Sequence, residues 1–178
     1  MLRLKTILLI FLAMMIRETL FAQPSQPDSK DVASLDAILA ALYDVISGDA
    51  GKPRDWHRFR SLFAPGARLM PIVQLSSGKD TLRVMTPDDY VESGKKRFAQ
   101  RGFFEKEIAR RTERYGNLVH VFSTYEAREQ ASDEKPFMRG INSIQLLYDR
   151  TRWYIVSVMW QAESAEFPLP EKYLKTVP

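Results

Sequence analysis

Four long segments with the composition of β-strands follow one another in the second half of this 178-residue chain, and they constrain the fold most strongly. Each is bounded by turn residues, as expected of consecutive strands joined by hairpins. Segments with helical spacing come before them. This order predicts an α+β fold in which a strongly curved antiparallel sheet wraps over about three helices. The predicted strands span residues 103–114, 118–128, 138–150 and 153–163.

Three helices are predicted ahead of these strands. Apolar residues recur at i, i+3, i+4 and i+7 through residues 35–46, which is the spacing of an amphipathic helix. Pro53 is a typical first residue for the second, short helix. The third helix begins at residues 86–89, Thr-Pro-Asp-Asp, which have the pattern of a capping box. Residues 68–75 and 81–85 predict a short hairpin between the second and third helices.

The N-terminal residues predict a secretory signal peptide. An apolar run at residues 7–16 follows a basic start, and it is about half as long as the ~20 residues that a spanning helix needs. We expect cleavage after Ala22 and a secreted or periplasmic mature protein; a retained N-terminal anchor helix is the alternative. The chain then divides into a signal peptide at 1–22, a flexible lead-in at 23–31, one domain at 32–163 and a C-terminal tail at 164–178.

Charge and cysteine content exclude several classes of function. The formal net charge is +4, and residues 1–22 contribute two of those charges. No long block of Lys and Arg remains, so we expect no nucleic-acid partner, and no membrane partner after signal cleavage. The absence of cysteine excludes disulfides, thiolate metal ligands and cysteine nucleophiles. No metal motif or cofactor motif occurs, so the sequence predicts neither a metal nor a cofactor.

The order helix, helix, short hairpin, helix and four strands is carried by RDWHRFRSLFAPGARL, TPDDYVESGKKRF, GNLVHVFSTYEAR, RGINSIQLLYD and RWYIVSVMWQAE. It resembles the nuclear transport factor 2-like superfamily, particularly its SnoaL-like branch, over roughly residues 32–162. The resemblance implies a cone-shaped α+β barrel and a homodimer paired through the convex face of the sheet. Members of this fold include isomerases, cyclases, dehydratases, epoxide hydrolases and non-enzymatic binding or association modules, so the fold alone selects no function.

The catalytic patterns of enzymes with this fold are not met by the sequence. The resemblance to ketosteroid isomerases would require a carboxylate near the end of the first strand, where residues 68–71 read Arg-Leu-Met-Pro. Tyr43 lies on the first helix but is offset from the position of the isomerase tyrosine. Epoxide hydrolases of this fold use an Asp-Arg-Asp set. Arg139 is a candidate for its arginine, whereas Asp133 and Asp149 fall in predicted loops, so the motif is not met and the resemblance assigns no catalytic residue.

Several single residues have both a structural and a functional interpretation. His120 lies within a predicted strand, where it is either a general base or an ordinary packed or solvated histidine. It is the one catalytic candidate. His57 lies beside Trp56 on a short helix, which favours a packing role. Glu105 and Glu107 share one face of a strand, and the mixed charge around them favours a solvated strand over a catalytic carboxylate pair.

Polar residues within otherwise apolar strands are the better indication of a binding site. Buried polar groups need partners, and an arginine, an amide and a tyrosine around one cavity suit an acid or a hydroxylated small molecule. The alternative is that these side chains bond one another or face solvent. The predicted ligand-binding residues are Tyr125, Arg139, Asn142, Ser143 and Trp160.

The last predicted strand is apolar on both faces, so its outer face needs a cover. A second subunit would provide one, and we expect a homodimer through the sheet; the C-terminal tail is the rival cover. Three functions remain open. The first is binding of a small, partly apolar ligand without assigned catalysis. The second is a lyase, isomerase or cyclase that uses His120 or a strand carboxylate with Tyr125. The third is a non-catalytic association module.

Overall fold

The computed structural model describes residues 26–175, and the predicted signal peptide lies outside these residues. The predicted α+β fold is confirmed: three helices pack on one curved six-stranded sheet. The helices are α1 (Leu35–Ile46), α2 (Trp56–Ser61) and α3 (Pro87–Gln100). The strands are β1 (Phe63–Gln74), β2 (Asp80–Leu82), β3 (Phe104–Tyr115), β4 (Leu118–Arg128), β5 (Met138–Tyr148) and β6 (Trp153–Ala162), with short 3-10 helices at Ser29–Val32 and Glu171–Tyr173.

Side-chain caps set where the helices begin. The predicted capping box of Thr86 and Asp89 at the start of α3 is confirmed, with each residue bonded to the other's backbone N–H. The prediction that α2 begins at Pro53 is wrong. The helix starts at Trp56, because the Asp55 carboxylate accepts a hydrogen bond of 2.9 Å from the Arg58 N–H and caps it there.

The sheet has the order β2-β1-β6-β5-β4-β3 and differs from the prediction in two respects. Neighbouring strands are antiparallel except β1 and β6, which are parallel, so the sheet is mixed. The sheet also does not close into a barrel, since β2 and β3 are its two edges. Hairpin patterns define only how consecutive strands meet. They carry no information on the direction in which the first and last strands pair.

The two faces of the sheet are built from alternating residues. We call the face that packs on the helices the inner face and the opposite one the outer face. On β4 the fully buried Val119 and Val121 point inward, and on β5 Ile144 and Leu146 do so. These side chains meet helical residues such as Ile38 in one core, and each fully buried aliphatic contributes about 1.5–3 kcal/mol.

The C-terminal tail crosses part of the outer face. The ring of Tyr173 packs against that of Phe122 with 5.1 Å between centroids, and Thr124 Oγ1 donates a 2.6 Å hydrogen bond to the Tyr173 carbonyl oxygen. Leu147, Val156 and Met159 stay partly exposed with the tail in place. The tail, which is the rival cover, therefore shields only part of the outer face.

Within residues 26–175, no helix is long and apolar enough to span a membrane.

Candidate functional site

A cavity of about 170 Å³ lies between the inner face of the sheet and the helices. Leucine, isoleucine, phenylalanine, methionine and valine side chains form most of its wall. A few polar or amphipathic side chains from six different elements interrupt this apolar lining. They are Tyr43 on α1, Tyr90 and Arg97 on α3, Arg101 just after α3, Glu105 on β3, Tyr125 on β4, Asn142 on β5 and Trp160 on β6.

Glu105 brings a carboxyl group to this apolar wall. Its Oε1 accepts a 3.2 Å hydrogen bond from Asn142 Nδ2. Burial raises the pKa of Glu105 to about 7, against the opposing effects of the Asn142 hydrogen bond and the positive charge of Arg97. The protonated and ionised forms of this group are therefore both populated near neutral pH, which is the condition for a general acid or base.

The hydroxyl of Tyr125 is the second unusual group in the cavity. The residue is only 1% exposed, and its Oη has no hydrogen-bond partner among residues 26–175. Burial, followed by the negative charge of Glu105, raises the pKa of Tyr125 above its ordinary value, so it remains a neutral donor. An unpaired buried hydroxyl costs about 1–3 kcal/mol, which a ligand oxygen in the cavity would recover.

Gly140 makes room for this hydroxyl. It stands directly opposite Tyr125 in the β4–β5 pairing, and a Cβ at this position would lie 2.6 Å from Tyr125 Oη and 2.3 Å from the Gln161 carbonyl oxygen. The β4–β5 and β5–β6 pairings run without a register shift here, so Arg139-Gly140 is not a bulge. The missing side chain at Gly140 allows the ring of Tyr125 to approach β5 closely.

Tyr43 lies at the cavity too, but its proton is engaged elsewhere. Its Oη accepts from Asn142 Nδ2 at 3.0 Å and lies 2.7 Å from Ser123 Oγ. Ser123 donates in turn to Glu107 Oε2 at 2.5 Å, and Glu107 is paired with Arg110 at 2.6 Å. The Glu107 carboxylate can only accept, so the single hydroxyl proton of Ser123 is donated to it. Ser123 Oγ therefore accepts a hydrogen bond from the Tyr43 hydroxyl. Tyr43 therefore orients Asn142 and has no proton to donate to a ligand.

The structure brings three of the predicted ligand-binding residues together. Tyr125, Asn142 and Trp160 all line the cavity. They stand on three neighbouring strands and point inward. Trp160 also contacts α3 through an edge-to-face arrangement with Tyr90, with 6.4 Å between centroids.

The remaining predicted residues lie on the outer face. Arg139 forms a two-bond ion pair with Glu163, at 2.9 and 3.1 Å. Ser143 Oγ lies 3.0 Å from Nε2 of His120, the catalytic candidate, which faces away from the cavity. Residues 139 and 143 are odd-numbered positions of β5, and alternation places them opposite the even-numbered Asn142. The predicted set is thus divided between the two faces.

For Glu105 the sequence favoured a solvated strand over a catalytic carboxylate, and this interpretation is wrong; for Arg97 the sequence predicted no site role. Lys106 and the arginines that follow made β3 look like a solvated strand, although its inner face is covered by α1. Arg97 stood in the short run Lys95-Lys96-Arg97 on a helix. Burial of a charged strand by a helix distant in sequence leaves no local signal. The described residues contain no cluster of three or more metal-ligating side chains.

No protein-family model matches the sequence, and no curated protein matches it. Several solved structures are similar to this chain in fold. A nuclear transport factor 2-like protein of unknown function from Silicibacter pomeroyi is 17% identical, with a TM-score of 0.50 over 74% of this chain and 94% of that one. A protein of unknown function with a cystatin-like fold from Nostoc punctiforme is 10% identical, with a TM-score of 0.54 over 71% and 86%.

A third similar structure, from Xanthomonas campestris, is named as a candidate calcium/calmodulin dependent protein kinase II association domain. It is 14% identical, with a TM-score of 0.50 over 73% of this chain and 83% of that one. This chain has the nuclear transport factor 2-like fold. Identities this low establish the fold alone, so the function has to be inferred from the cavity.

Proposed function

We propose that this protein binds a small, largely apolar molecule in the cavity and moves a proton to or from it. Glu105 is the acid or base, and Tyr125 is the hydrogen-bond donor. One observation supports this most. A carboxyl group with a pKa of about 7 and a buried hydroxyl without a partner in residues 26–175 line the same apolar cavity. Of the three open functions, this favours the lyase or isomerase with a strand carboxylate and Tyr125.

Cavity volume limits the size of the ligand. An apolar cavity of about 150 Å³ holds one benzene molecule. The volume here is about 170 Å³. A single substituted ring therefore fits, whereas a fused multi-ring skeleton would require the walls to move. Aromatic neighbours such as Phe98 and Phe103 suit a flat ring.

The two polar groups divide the chemistry between them. The ionised Glu105 carboxylate takes a proton from a carbon next to a ligand carbonyl group, and the electron pair of that C–H bond moves toward the carbonyl oxygen. The Tyr125 O–H stabilises the negative charge that develops there. Protonated Glu105 then returns the proton to the same carbon or a conjugated one, or to a leaving hydroxyl group. Return to the same carbon only exchanges the proton with solvent, return to a conjugated carbon is an isomerisation, and protonation of the leaving hydroxyl group eliminates water.

A one-ring ketone tests this chemistry. We expect the wild-type protein to accelerate exchange of the α-protons of cyclohexanone in heavy water, followed by loss of the proton NMR signal. Glu105→Gln keeps the size of the side chain and removes the base, so exchange should fall to the buffer rate. Glu163→Gln is the matched control, because Glu163 lies on the outer face and should leave the exchange rate unchanged.

Binding without proton transfer is the outcome that separates the two leading functions. If cyclohexanone shifts the NMR signals of residues around the cavity but its α-protons exchange at the buffer rate, the protein is a binding module. If the signals do not shift at all, the cavity is not a ligand site for one-ring ketones. Proton transfer to ketones of this size would then be excluded, and binding of another ligand class and the association module would remain.

The compartment is a separate part of the proposal. The basic start and the apolar run at residues 7–16 support export with cleavage near Ala22. The mature protein would then begin at or near Gln23 and be secreted or periplasmic. N-terminal sequencing of protein from fractionated cells tests this, and recovery of Met1 on a cytosolic species would contradict it.

Self-association through the outer face is likewise proposed. The exposed Leu147, Val156 and Met159 support it, because the tail leaves them uncovered. Closed two-fold pairing is the commonest arrangement for such a face. Light scattering at micromolar concentration should give the mass of two mature chains. A mass of one chain that stays constant on dilution would leave the tail as the cover of this face.

A further inference from the structure

Arg97 stands out among the cationic residues at the cavity. It lies near the C-terminal end of α3, and its guanidinium carbon is 4.7 Å from the ring centroid of Phe98, 5.7 Å from that of Tyr90 and 5.8 Å from that of Phe103. Three aromatic rings therefore hold the guanidinium group at the cavity wall by cation–π contacts. The residue itself is exposed, so the group is accessible from outside.

The N–H groups of Arg97 are largely unused by the protein. A guanidinium has five donors. Among residues 26–175, Arg97 forms none of the ion pairs, and its one side-chain hydrogen bond is a long contact of 3.4 Å from Nη2 to Tyr90 Oη. Water can satisfy the outward donors. The cavity that Arg97 lines contains the carboxyl group of Glu105, but no hydrogen bond joins the two residues.

Two neighbouring arginines show what a structural role looks like here. Arg54, whose guanidinium also lies over Phe98, donates to four backbone carbonyl oxygens at 2.5–3.1 Å. Arg101 also lines the cavity but is paired with the carboxylate of Glu129. Both are committed to protein partners. Arg97 shares their surroundings and lacks such a partner in the described part of the chain.

The charge balance of the cavity also indicates that Arg97 lacks a negatively charged partner. Its charged lining residues in the described chain are Arg97, Arg101 and Glu105. Arg101 is neutralised by Glu129. When Glu105 is protonated, Arg97 carries the one uncompensated charge, so a ligand with a single negative charge would neutralise the cavity. A planar carboxylate matches the guanidinium fork in two bonds, whereas a doubly charged phosphate would leave a charge unbalanced.

We propose that the ligand of this cavity is a one-ring carboxylic acid, with its carboxylate bound by Arg97 and a second oxygen function at Tyr125. This inference rests on the proposed binding of a small molecule in the cavity and names its chemical class. Glu105 acts on the part of the ring near the second oxygen, and Arg97 fixes which way round the ring enters. Arg97 is thus a specificity-determining residue.

A pair of isosteric probes tests the ligand class. 4-Hydroxybenzoate and 4-hydroxybenzamide have the same ring, hydroxyl and shape, and they differ in charge at one end. We expect isothermal titration calorimetry at pH 6, where Glu105 is mostly protonated, to give at least about tenfold tighter binding of the benzoate, the scale of a charge-assisted hydrogen bond. Arg97→Gln should abolish this preference and leave binding of the amide unchanged. Arg97→Lys should retain part of the preference.

Arg101→Gln is the matched control. It removes a cation from the same wall, but one already paired with Glu129, so the preference for the benzoate should persist. If the amide binds as tightly as the benzoate, or if the preference survives Arg97→Gln, the ligand class is refuted while the cavity remains a binding site. If neither probe binds to the wild-type protein, this inference is refuted, and the cyclohexanone experiment alone decides whether the cavity binds a small molecule.

Discussion

The two faces of the sheet satisfy their polar side chains differently. On the outer face, Arg139 pairs with Glu163, and His120 pairs with Ser143. On the inner face, the hydroxyl of Tyr125 has no partner in the described chain, and Glu105 is held where burial raises its pKa. Strand β4 supplies a residue to each set, His120 to the outer face and Tyr125 to the inner face. Polar residues paired one to one stabilise the sheet, and those left over next to a cavity mark the site.

The contrast between Glu105 and Glu163 gives the largest expected effect on stability. Burial raises the pKa of Glu105 from 4.5 to about 7, so the folded state binds its proton more tightly than the unfolded state does. The stability that the protonated Glu105 contributes is fully present below about pH 4.5, and it is lost as pH rises through 7. Relative to Glu105→Gln, the wild-type free energy of unfolding should fall by about 3 kcal/mol between pH 4 and pH 8, measured by urea denaturation.

Glu163 should behave in the opposite way. The Leu169 N–H and then Arg139 lower the pKa of Glu163, so its contribution is present above the unfolded pKa of about 4.5 and is lost as pH falls through its folded pKa. Relative to Glu163→Gln, the wild type should therefore change little between pH 5 and pH 8 and lose stability in more acidic solution.

The prediction for Glu105 has a clear contrary outcome. Parallel curves of unfolding free energy against pH for wild type and Glu105→Gln would show that Glu105 is not buried. The polar and charged groups that line the cavity with Glu105 include Arg97, Tyr43, Tyr125 and Asn142.

Two tyrosines that line the cavity should respond differently to loss of the hydroxyl. Tyr43→Phe leaves Asn142 and Ser123 without their shared partner, so we expect a loss of about 1–3 kcal/mol in the free energy of unfolding. Tyr125→Phe removes a hydroxyl that has no partner in the described chain, so stability should stay constant or rise slightly. Chemical denaturation at one pH measures both.

Loss of the Tyr125 hydroxyl should affect the proposed reaction much more than it affects stability. Tyr125→Phe should slow the exchange of cyclohexanone α-protons by about 100-fold or more, because it removes the donor to the developing negative charge. A substantial loss of stability in Tyr125→Phe would instead mean that a protein group bonds this hydroxyl. The proposed role in catalysis would then fall.

The smallest expected effect comes from the outer face. Arg139→Ala breaks an ion pair in which the arginine side chain is 38% exposed, so we expect a loss of about 0.2–1 kcal/mol in the free energy of unfolding. Binding of 4-hydroxybenzoate should be unchanged within error, in contrast to Arg97→Gln. A tenfold weaker affinity in Arg139→Ala would show that the outer face takes part in ligand binding, and the division between the faces would no longer hold.

Much of this architecture could be predicted from local sequence patterns. The capping box at Thr86 and Asp89 and the bounds of β4 at residues 118–128 match the structure, because caps and strand alternation depend on neighbouring residues. The parallel pairing of β1 with β6 did not follow from the sequence. It joins strands from opposite ends of the domain.

For the site, the sequence determined that Tyr125, Asn142 and Trp160 are polar or amphipathic residues within apolar strands. It also determined that Arg139 and Ser143 alternate with Asn142 along β5. Only the tertiary structure decided which of these alternating faces turns toward the helices, because both faces are apolar enough to be buried. It likewise placed α1 over Glu105 and α3 beside it. The pKa of a carboxyl group depends on such distant neighbours, and a local pattern of charges cannot report them.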